Sequence, residues 1–363
     1  MKGKFDLYEY LNKGVEDIVG GILKASCRNP RETVFMLKFA KASKAAGMRR
    51  ESREKRGYPV PAFLISSITS SCNLFCMGCY ARANSSCGEG VSWEQLSAER
   101  WGDIFREAGE LGISFVLLAG GEPLMRRDVI EKAAEAKDII FPVFTNGTLF
   151  NEDYIKLFDE NRNLVPILSI EGDREITDDR RGTGTYDILM ELMSKFKDKG
   201  ILFGASVTLT TGNIENVTSR DFYEKLHAKG CKALIFVEYV PVTQETAQLA
   251  PTERERGILE AELQKLREKD SDTIFLSFPG DEKYSGGCLA AGRGFFHINT
   301  DGAAEPCPFS PYSDTSLKDC TLEQALNSKL FRRLDETGML VGEHDGGCML
   351  FQKEKEVKAL IGL

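Results

Sequence analysis

Three cysteines stand close together near the front of the chain, in the segment SCNLFCMGCY at residues 71–80. Cys72, Cys76 and Cys79 have the spacing C-x3-C-x2-C, which places three thiols in one loop. Three thiolates from one loop can hold three irons of a cubane cluster and leave the fourth iron open to a non-protein ligand. Zinc is the alternative, but a structural zinc site needs four closed ligands, and no further Cys or His stands at a matching distance. The spacing therefore favours an iron–sulfur cluster with a reactive iron.

Residues suited to binding also follow three later apolar runs. AGGEP occupies residues 119–123, TNGT residues 145–148 and SIEG residues 169–172. Paired glycines let a backbone approach a ligand closely, and Asn, Ser and Glu side chains supply hydrogen bonds. An Asn-Gly pair is also ordinary turn chemistry, so the second motif has a structural alternative.

The elements that must position these motifs alternate short apolar runs with helical periodicity, which is typical of a parallel α/β sheet. Six strands are predicted, with helices between them such as 94–111 and 128–137; the strands are 63–69, 114–118, 139–145, 166–170, 202–209 and 233–240. Six strand–helix units indicate a partial barrel, shorter than the usual eight-fold barrel. The cysteine loop and the three motifs each follow a strand, and active sites of parallel α/β folds gather at the carboxyl ends of strands. We therefore expect the four motifs to form one site.

The cysteine loop, with the aromatic Tyr80 directly after its third cysteine, resembles the signature of the radical S-adenosylmethionine (SAM) superfamily. The resemblance implies a [4Fe-4S] cluster on Cys72, Cys76 and Cys79 whose open iron chelates the amino and carboxylate groups of SAM. It also implies that an electron from the reduced cluster, supplied by an external donor of the flavodoxin or ferredoxin type, splits SAM to give a 5′-deoxyadenosyl radical. The protein must then position and shield the reacting groups.

The motif after the second strand resembles the GGE motif of the superfamily. The resemblance implies that Gly120, Gly121 and Glu122 meet the SAM amino group, and we place Asn146 at the same cofactor site. The resemblance covers residues from about 61 to 350, and implies an α/β fold: a partial (β/α)6 radical SAM barrel with a helical N-terminal extension and a C-terminal iron–sulfur domain.

Five further residues match weaker positions of the superfamily. Ser169 and Glu171 resemble a polar pair that binds the ribose hydroxyls of SAM, although relatives commonly have Asp where this chain has the longer Glu171. Ser206 matches a position near the SAM carboxylate, and Val240 an apolar edge beside the adenine. Arg181 lies where relatives often place an Arg-Gly pair, and its planar guanidinium suits a carboxylate of SAM or of the substrate.

A second set of cysteines, Cys288, Cys307, Cys320 and Cys348, lies in a Gly-rich tail without the strand–helix alternation. Residues 295–307 predict a hairpin. The arrangement resembles the SPASM/twitch extensions of radical SAM enzymes, in which cysteines before, after and far beyond a hairpin hold an auxiliary cluster. The resemblance implies a second, auxiliary [4Fe-4S] cluster on Cys288, Cys307 and Cys348. Either Cys320 completes its ligand shell, or one auxiliary iron stays open.

Composition bounds the remaining choices. The chain has 363 residues, 42% of them apolar and 28% charged, and its ten cysteines would stay reduced in the cytoplasm, where their number argues for metal binding. The net charge of −8 argues against wholesale nucleic-acid binding. We expect a cytoplasmic protein, because no apolar stretch reaches membrane-spanning length and the first residues lack a signal-peptide core.

Three regions are predicted: a basic helical extension (1–60), the barrel (61–270) and the auxiliary cluster domain (271–363).

The N-terminal extension is strongly basic, with eleven Lys or Arg against three Glu between residues 24 and 56. Asn29-Pro30 predicts a helix start. We expect a solvated helix docked on the outside of the barrel; peripheral contact with anionic lipid is the less favoured alternative.

The leading functional hypothesis is an enzyme whose radical abstracts hydrogen from a substrate lying between the barrel rim and the auxiliary cluster. Dehydrogenation or cross-linking of a small molecule or peptide would follow, with a lipid or a nucleoside-derived cofactor precursor as the alternative substrate class. Cys87 could supply a hydrogen atom, or could be an ordinary loop cysteine. The contrasting class is a non-catalytic iron–sulfur electron carrier or scaffold. A carrier has no need of a GGE motif, a Ser-x-Glu pair and an arginine loop on one rim.

Overall fold

The structure is a computed structural model that describes residues 6–27, 29–84, 86–88, 94–241, 244–342 and 348–362. Within these ranges one nine-stranded sheet runs in the order β7-β6-β5-β4-β3-β2-β1-β8-β9. The strands are β1 (Phe63–Ser67), β2 (Phe115–Ala119), β3 (Phe141–Thr145), β4 (Leu164–Ser169), β5 (Gly204–Leu209), β6 (Ala233–Glu238), β7 (Ile274–Phe278), β8 (His297–Ile298) and β9 (Ala304–Glu305). All pairs are parallel except that of β8 with β9.

All six predicted strands are present, each within two residues of its predicted ends. The partial α/β barrel is therefore confirmed. The strand β7 was not predicted; it pairs with β6 and extends the sheet into the region assigned to the auxiliary domain. On the other side β8 pairs with β1, so the hairpin of the second cysteine set belongs to the same sheet. The predicted domain boundaries themselves remain predictions.

Helices connect the strands and flank them. They are α1 (Leu7–Ser26), α2 (Pro30–Glu54), α3 (Tyr80–Ala83), α4 (Ala98–Leu111), α5 (Arg127–Glu135), α6 (Glu152–Glu160), α7 (Arg174–Arg181), α8 (Thr185–Lys199), α9 (Ile214–Val217), α10 (Arg220–Ala228), α11 (Glu253–Lys269), α12 (Leu322–Leu326), α13 (Lys329–Glu336), α14 (Met349–Gln352) and α15 (Glu354–Ile361). Short 3-10 helices span Pro123–Met125, Gln244–Leu249 and Gly280–Ser285. None of the helices in the described ranges is both long and apolar enough to cross a bilayer.

The connecting helices cover the outer face of the sheet. Alternate residues of β1 and β2, such as Leu64 and Val116, pack with Trp101 and Phe105 of α4 in one apolar core. Phe105 meets Phe141 of β3 edge to face, with ring centroids 5.0 Å apart. This is the alternation that a parallel α/β sheet requires, because successive side chains of a strand point to opposite faces.

The N-terminal helices lie on the opposite face, against the amino ends of the strands. Val19 of α1 and Met36 and Phe39 of α2 pack with Phe115 and Val165 in a second core. The expected position on the outside of the barrel is therefore corrected. Arg50 of α2, expected to be solvated, is buried. It donates to the carbonyl of Gly112 and to the side chains of Ser114 and Asn12. Burial lowers the pKa of Arg50 to about 10.

Candidate active site

The loop that carries the first three cysteines follows β1 and lies directly against the loop after β2. The amide of Gly121 donates to the carbonyl of Thr69 at 2.7 Å, and the amide of Glu122 donates to that of Ser71 at 2.8 Å. A Cβ atom at Gly121 would lie 2.0 Å from the Ser71 oxygen, and Gly120 has a φ of +123°, which L side chains rarely adopt. The paired glycines therefore allow two backbones to touch beside Cys72.

Glu122 joins the loops after β2 and β3. Its buried carboxylate accepts hydrogen bonds from the amide of Leu124, from the Thr145 hydroxyl at 2.7 Å and from the amide of Asn146 at 2.8 Å. Burial raises the pKa of Glu122 to about 7, and these hydrogen bonds oppose the rise. Both carboxylate oxygens have partners within the protein, so the contact with the SAM amino group remains a prediction.

Asn146 ties the cysteine loop to the end of β3. Its amide nitrogen donates to Asn73 at 3.0 Å, while its side-chain oxygen accepts from the amide of Thr148. Asn73 in turn donates to the Thr148 hydroxyl at 2.7 Å. The observed contacts of Asn146 position Asn73, next to Cys72, and its assignment to the cofactor stays a prediction.

Glu171 and Arg181 form an ion pair at the carboxyl end of β4. Glu171 is fully buried, and one of its oxygens accepts from Nε of Arg181 at 2.7 Å and from Arg180. Its other oxygen accepts from the amide of Thr208. The carboxylate expected to reach ribose hydroxyls is thus held by two arginines of α7, so the ribose assignment of Glu171 is not supported by this geometry.

The guanidinium of Arg181 connects that ion pair to the cysteines. Its Nη1 lies 3.9 Å from Sγ of Cys76. Burial alone would lower the pKa of Arg181, but the charges of Glu171 and Cys76 together raise it. The resemblance implied that Arg181 binds a carboxylate; the structure adds that its guanidinium faces the thiol of Cys76.

Cys87 lies beside Cys72. A hydrogen bond from the Cys87 thiol, helped by the amide of Leu74 and the charge of Arg82, lowers the pKa of Cys72 to about 6, although burial opposes the shift. The thiolate is the form that binds metal, so this setting favours ligation. Arg82 itself donates to the carbonyl of Leu74 at 2.6 Å.

Ser169 and Ser206 face each other across β4 and β5, with hydroxyl oxygens 3.4 Å apart. They are adjacent in register and lie at the same end of the sheet as the cysteine loop. Val240 lies in the wall of a small cavity that is also lined by three cysteines of the second set, Cys288, Cys307 and Cys348. Its expected place beside the adenine remains untested.

Three cysteines of the second set converge on that cavity. Cys288, Cys307 and Cys348 line it, and a hydrogen bond from the Cys307 thiol lowers the pKa of Cys348. Burial raises the pKa of Cys288 and Cys307 well above the ordinary value. Burial likewise raises the pKa of Glu282, in the wall of the same cavity, to about 7. The sequence did not single out Glu282.

Cys320 does not join the other three. It lies in the turn before α12, where Arg100 donates to its carbonyl at 2.8 Å and to that of Leu317 at 2.7 Å. The nearby charges that act on its thiol are those of Arg100, Glu107 and Asp319. Cys320 is not among the described residues that line the cavity, and its role in completing the auxiliary shell stays a prediction.

Tyr80 lies between the two cysteine sets. Its ring meets Phe309, a residue of the cavity wall, edge to face at 5.2 Å. Burial and the neighbouring Cys79 and Cys307 raise the pKa of Tyr80, so the phenol stays protonated. Tyr239, which sequence reasoning missed, also supports the cysteine loop: a Cβ at Gly78 would lie 2.9 Å from its ring.

The three cysteines of the first loop fit a cubane cluster. Cys72, Cys76 and Cys79 share one loop on the rim, a cation lies beside Cys76, and Cys72 is set up to ionise. Across the described ranges, no three His, Cys, Asp or Glu side chains lie close enough together to share one metal ion. A cubane makes no such demand, because each cysteine binds its own iron.

Comparison with known proteins agrees with this site. A sequence model of the radical SAM superfamily matches residues 66–227, which include the cysteine loop and β2 to β5. The Fe-coproporphyrin III synthase of Methanosarcina barkeri is 30% identical over 158 residues, which cover 42% of this chain and 38% of that protein. The AdoMet-dependent heme synthase of the same organism is 24% identical over 78% of this chain and 87% of its own length. Mycofactocin maturase MftC of Mycobacterium tuberculosis is 27% identical over 81% and 80%.

A solved structure shares the fold. SuiB of Streptococcus suis, bound to its precursor peptide SuiA, superposes with a TM-score of 0.67 over 89% of this chain and 79% of that one. The identity is 18%. This likeness covers more of the chain than the superfamily match does.

Proposed function

We propose that this chain, whose residues 66–227 match the radical SAM superfamily, is an enzyme that binds a [4Fe-4S] cluster on Cys72, Cys76 and Cys79 and uses SAM to oxidise a bound substrate. When bound, the cluster and SAM supply a 5′-deoxyadenosyl radical that abstracts a hydrogen atom. The observation that carries the proposal is the convergence of the cysteine loop, the GGE backbone contact and the Glu171–Arg181 pair on one rim.

The chain's own residues have distinct tasks in this proposal. Gly121 keeps the cysteine loop against the loop after β2, and so fixes the position of Cys72. Arg181 holds a positive charge at Cys76, and Glu171 fixes the orientation of Arg181. Ser169 and Ser206 present hydroxyls to the cofactor from β4 and β5. The electron comes from an external donor of the flavodoxin or ferredoxin type.

The substrate would lie between the rim and the cavity of the second cysteine set. Tyr80 and Phe309 link the two places, so an auxiliary cluster on Cys288, Cys307 and Cys348 would lie on the far side of an aromatic pair from the first cluster. Such a cluster can take the electron that remains after hydrogen abstraction, and dehydrogenation or cross-linking would result. MftC is a maturase, and SuiB binds a precursor peptide, which supports a peptide substrate.

An iron porphyrin is the second candidate substrate, because the match with the heme synthase spans 87% of that protein. Fe-coproporphyrin III and any small precursor peptide encoded beside the gene are the two probes. Mass spectrometry after anaerobic turnover would show loss of hydrogen from only one of them. Loss from the porphyrin would contradict the peptide assignment and leave the radical chemistry in place.

The enzyme class is tested by the release of 5′-deoxyadenosine. Anaerobically reconstituted protein given dithionite and SAM should release the nucleoside, and Cys76→Ala should abolish the release. Cys231→Ala is the control, because Cys231 is buried at the start of β6 and its thiol donates to the carbonyl of Ala233. Absence of the nucleoside from wild-type protein with intact clusters would favour a non-catalytic electron carrier.

A further inference from the structure

A chain of hydrogen-bonded polar side chains lies at the junction of β1 with the β8–β9 hairpin. The Ser67 hydroxyl oxygen lies 2.8 Å from Nε2 of His297, and Nδ1 of His297 lies 2.7 Å from one carboxylate oxygen of Glu305. The other oxygen of Glu305 accepts from the side-chain amide of Asn299 at 2.9 Å. Ser67, His297 and Glu305 are 8%, 5% and 4% exposed, so water competes little for these contacts. We call these three residues the relay.

The partners of His297 determine which ring nitrogen carries the hydrogen. A carboxylate accepts hydrogen bonds and donates none, so Nδ1 donates to Glu305. The lone pair of the neutral ring then lies on Nε2, where it accepts from the Ser67 hydroxyl. A proton that arrives at Nε2 creates an imidazolium, which the adjacent Glu305 carboxylate stabilises. The relay is therefore arranged to accept a proton through the Ser67 hydroxyl.

The relay extends from the rim of the first cysteine site toward the second site. Ser67 is the last residue of β1, after which the chain enters the cysteine loop. Leu64 packs in the core beside α4, and successive side chains of a strand alternate, so Ser67 points to the inner face of the barrel. At the other end, the charge of Glu305 acts on Tyr80, whose ring lies between the two cysteine sets. The proposed function places the substrate in this region.

Oxidation of the substrate also releases a proton, which needs an acceptor. Dehydrogenation removes a hydrogen atom, an electron and a proton, and the proposed function assigns only the first two, to the 5′-deoxyadenosyl radical and to the auxiliary cluster. The buried carboxylates of Glu122 and Glu171 on the rim already accept hydrogen bonds through both oxygens. Nε2 of His297 can instead take the Ser67 proton along the hydrogen bond that joins them.

We propose that His297 accepts, through the Ser67 hydroxyl, the proton that the substrate releases on oxidation. The inference rests on the proposed function and adds a further part to its site. The substrate loses a hydrogen atom from carbon to the 5′-deoxyadenosyl radical, which becomes 5′-deoxyadenosine. The substrate radical then loses a proton from a neighbouring O–H, N–H or C–H bond to Oγ of Ser67, as the Ser67 proton moves to Nε2. One electron passes to the auxiliary cluster, a one-electron acceptor, and the product keeps a new double bond or cross-link.

The first test is the position of the hydrogen on His297 in the reconstituted full chain. The protein has three histidines, so ¹⁵N-histidine NMR with His297→Gln as the assignment variant identifies the signals of this ring. We expect the hydrogen on Nδ1 and the lone pair on Nε2. A ring that carries its hydrogen on Nε2 before turnover would overturn the proposal.

The second test separates proton removal from radical formation. Anaerobic turnover is measured with the two probes of the proposed function, Fe-coproporphyrin III and the precursor peptide. His297→Gln keeps a polar side chain that does not take up a proton, and it should lower product formation about 100-fold or more while 5′-deoxyadenosine is still released. Freeze-quenched samples should show the stalled substrate radical by electron paramagnetic resonance.

Two variants of Ser67 and one surface histidine complete the set. Ser67→Ala should behave like His297→Gln, and Ser67→Thr, which keeps a hydroxyl, should restore product formation. His227→Gln is the matched control, because the side chain of His227 on α10 is 46% exposed. It should match the wild-type protein in product and nucleoside.

The outcomes distinguish the relay from a structural role. Normal product formation by His297→Gln or by Ser67→Ala would overturn the proposal, and so would loss of the nucleoside together with the product at full iron load. If His297→Gln loads less iron, loss of product in Ser67→Ala and its return in Ser67→Thr support the relay, and any other result from this pair overturns it. Wild-type protein that releases 5′-deoxyadenosine but oxidises neither probe would overturn the oxidation on which the relay depends. Absence of the nucleoside would overturn the proposed function itself.

Discussion

Replacing Gly121 by alanine should prevent binding of the proposed cluster on Cys72, Cys76 and Cys79, because the added methyl group has no room. The Cβ atom would lie 2.0 Å from the Ser71 oxygen and 2.5 Å from the Ser71 carbonyl carbon. Ordinary van der Waals contact begins at 3.4 Å, so the two backbones must separate by about 1.4 Å. The atoms in conflict are backbone atoms, and no side-chain rotation relieves the contact.

Both ways of accommodating the methyl group lower the free energy of unfolding by about 1–3 kcal/mol. Keeping the loop in place stores overpacking strain of that size. Moving it stretches the hydrogen bonds from the amides of Gly121 and Glu122, now 2.7 and 2.8 Å, beyond bonding distance, and two such bonds contribute a similar amount. Movement of Ser71 also displaces Cys72, the first ligand of the cluster.

The assay is iron content after anaerobic reconstitution, with the auxiliary cluster as the internal standard. Wild-type protein should hold about eight irons and Gly121→Ala about four, with loss of 5′-deoxyadenosine release. Gly212→Ala is the matched control on the loop after β5, because its Cβ would lie 3.7 Å from the nearest atom. A Gly121→Ala protein with the full iron load, unchanged unfolding and normal nucleoside release would refute the reasoning.

Three further predictions concern charges. Glu171→Gln removes the negative partner of the two arginines near Cys76. The reduction potential of the first cluster, measured by potentiometry with electron paramagnetic resonance, should become more positive. An unchanged potential would contradict the electrostatic role of the Glu171–Arg181 pair. Arg162→Met removes the ion-pair partner of Glu32 from a bridge whose side chains are 6% and 3% exposed, and it should lower the free energy of unfolding in urea by about 3–5 kcal/mol. Arg174→Met, in a surface pair with 58% and 61% exposure, should change that free energy little. Equal losses in the two variants would refute the burial argument. The pKa of Glu122 is raised from 4.5 in the unfolded chain to about 7 in the folded protein. Its contribution to the free energy of unfolding is therefore fully present below pH 4.5 and is lost as pH rises through 7. Glu122→Gln should therefore reduce the fall in apo-protein stability between pH 5 and 8 by up to about 3 kcal/mol, as thermal unfolding across that range would show; an unchanged slope would mean that Glu122 does not titrate there.

The parts of the fold that the sequence predicted depend on local pattern. Alternating apolar runs located the six central strands, and their shared rim follows from parallel topology. The position of α2 could not be predicted from local pattern. The charges of a basic helix indicate which of its residues face solvent, but they do not indicate which surface of the protein the helix covers. Arg50 carries a charge and is nevertheless buried, where it satisfies the carbonyl of Gly112. The final turn of α4 creates that acceptor, 62 residues away.

The candidate site shows the same division. Residue types and spacing identified the cysteines, but the partner of each side chain depends on register and on distant loops. The resemblance to the superfamily implied that Glu171 binds ribose hydroxyls, which stays a prediction; the structure shows that Arg181 of α7 donates to it. Cys320 was predicted as a possible ligand from its place in the cysteine series. The structure places it instead beside Arg100, which donates to its carbonyl.

The two cysteine sites are positioned by one sheet. The first loop leaves β1 and the second set surrounds β8 and β9, and β1 pairs directly with β8 through Ile65 and His297. Buried polar contacts fasten the same junction: Ser67 Oγ lies 2.8 Å from Nε2 of His297, whose Nδ1 lies 2.7 Å from Glu305. A flexible linker would let the distance between two clusters vary, whereas paired strands fix it. Fixed spacing is what electron transfer between an active site and an auxiliary acceptor requires, and it suits a substrate that must be oxidised between them.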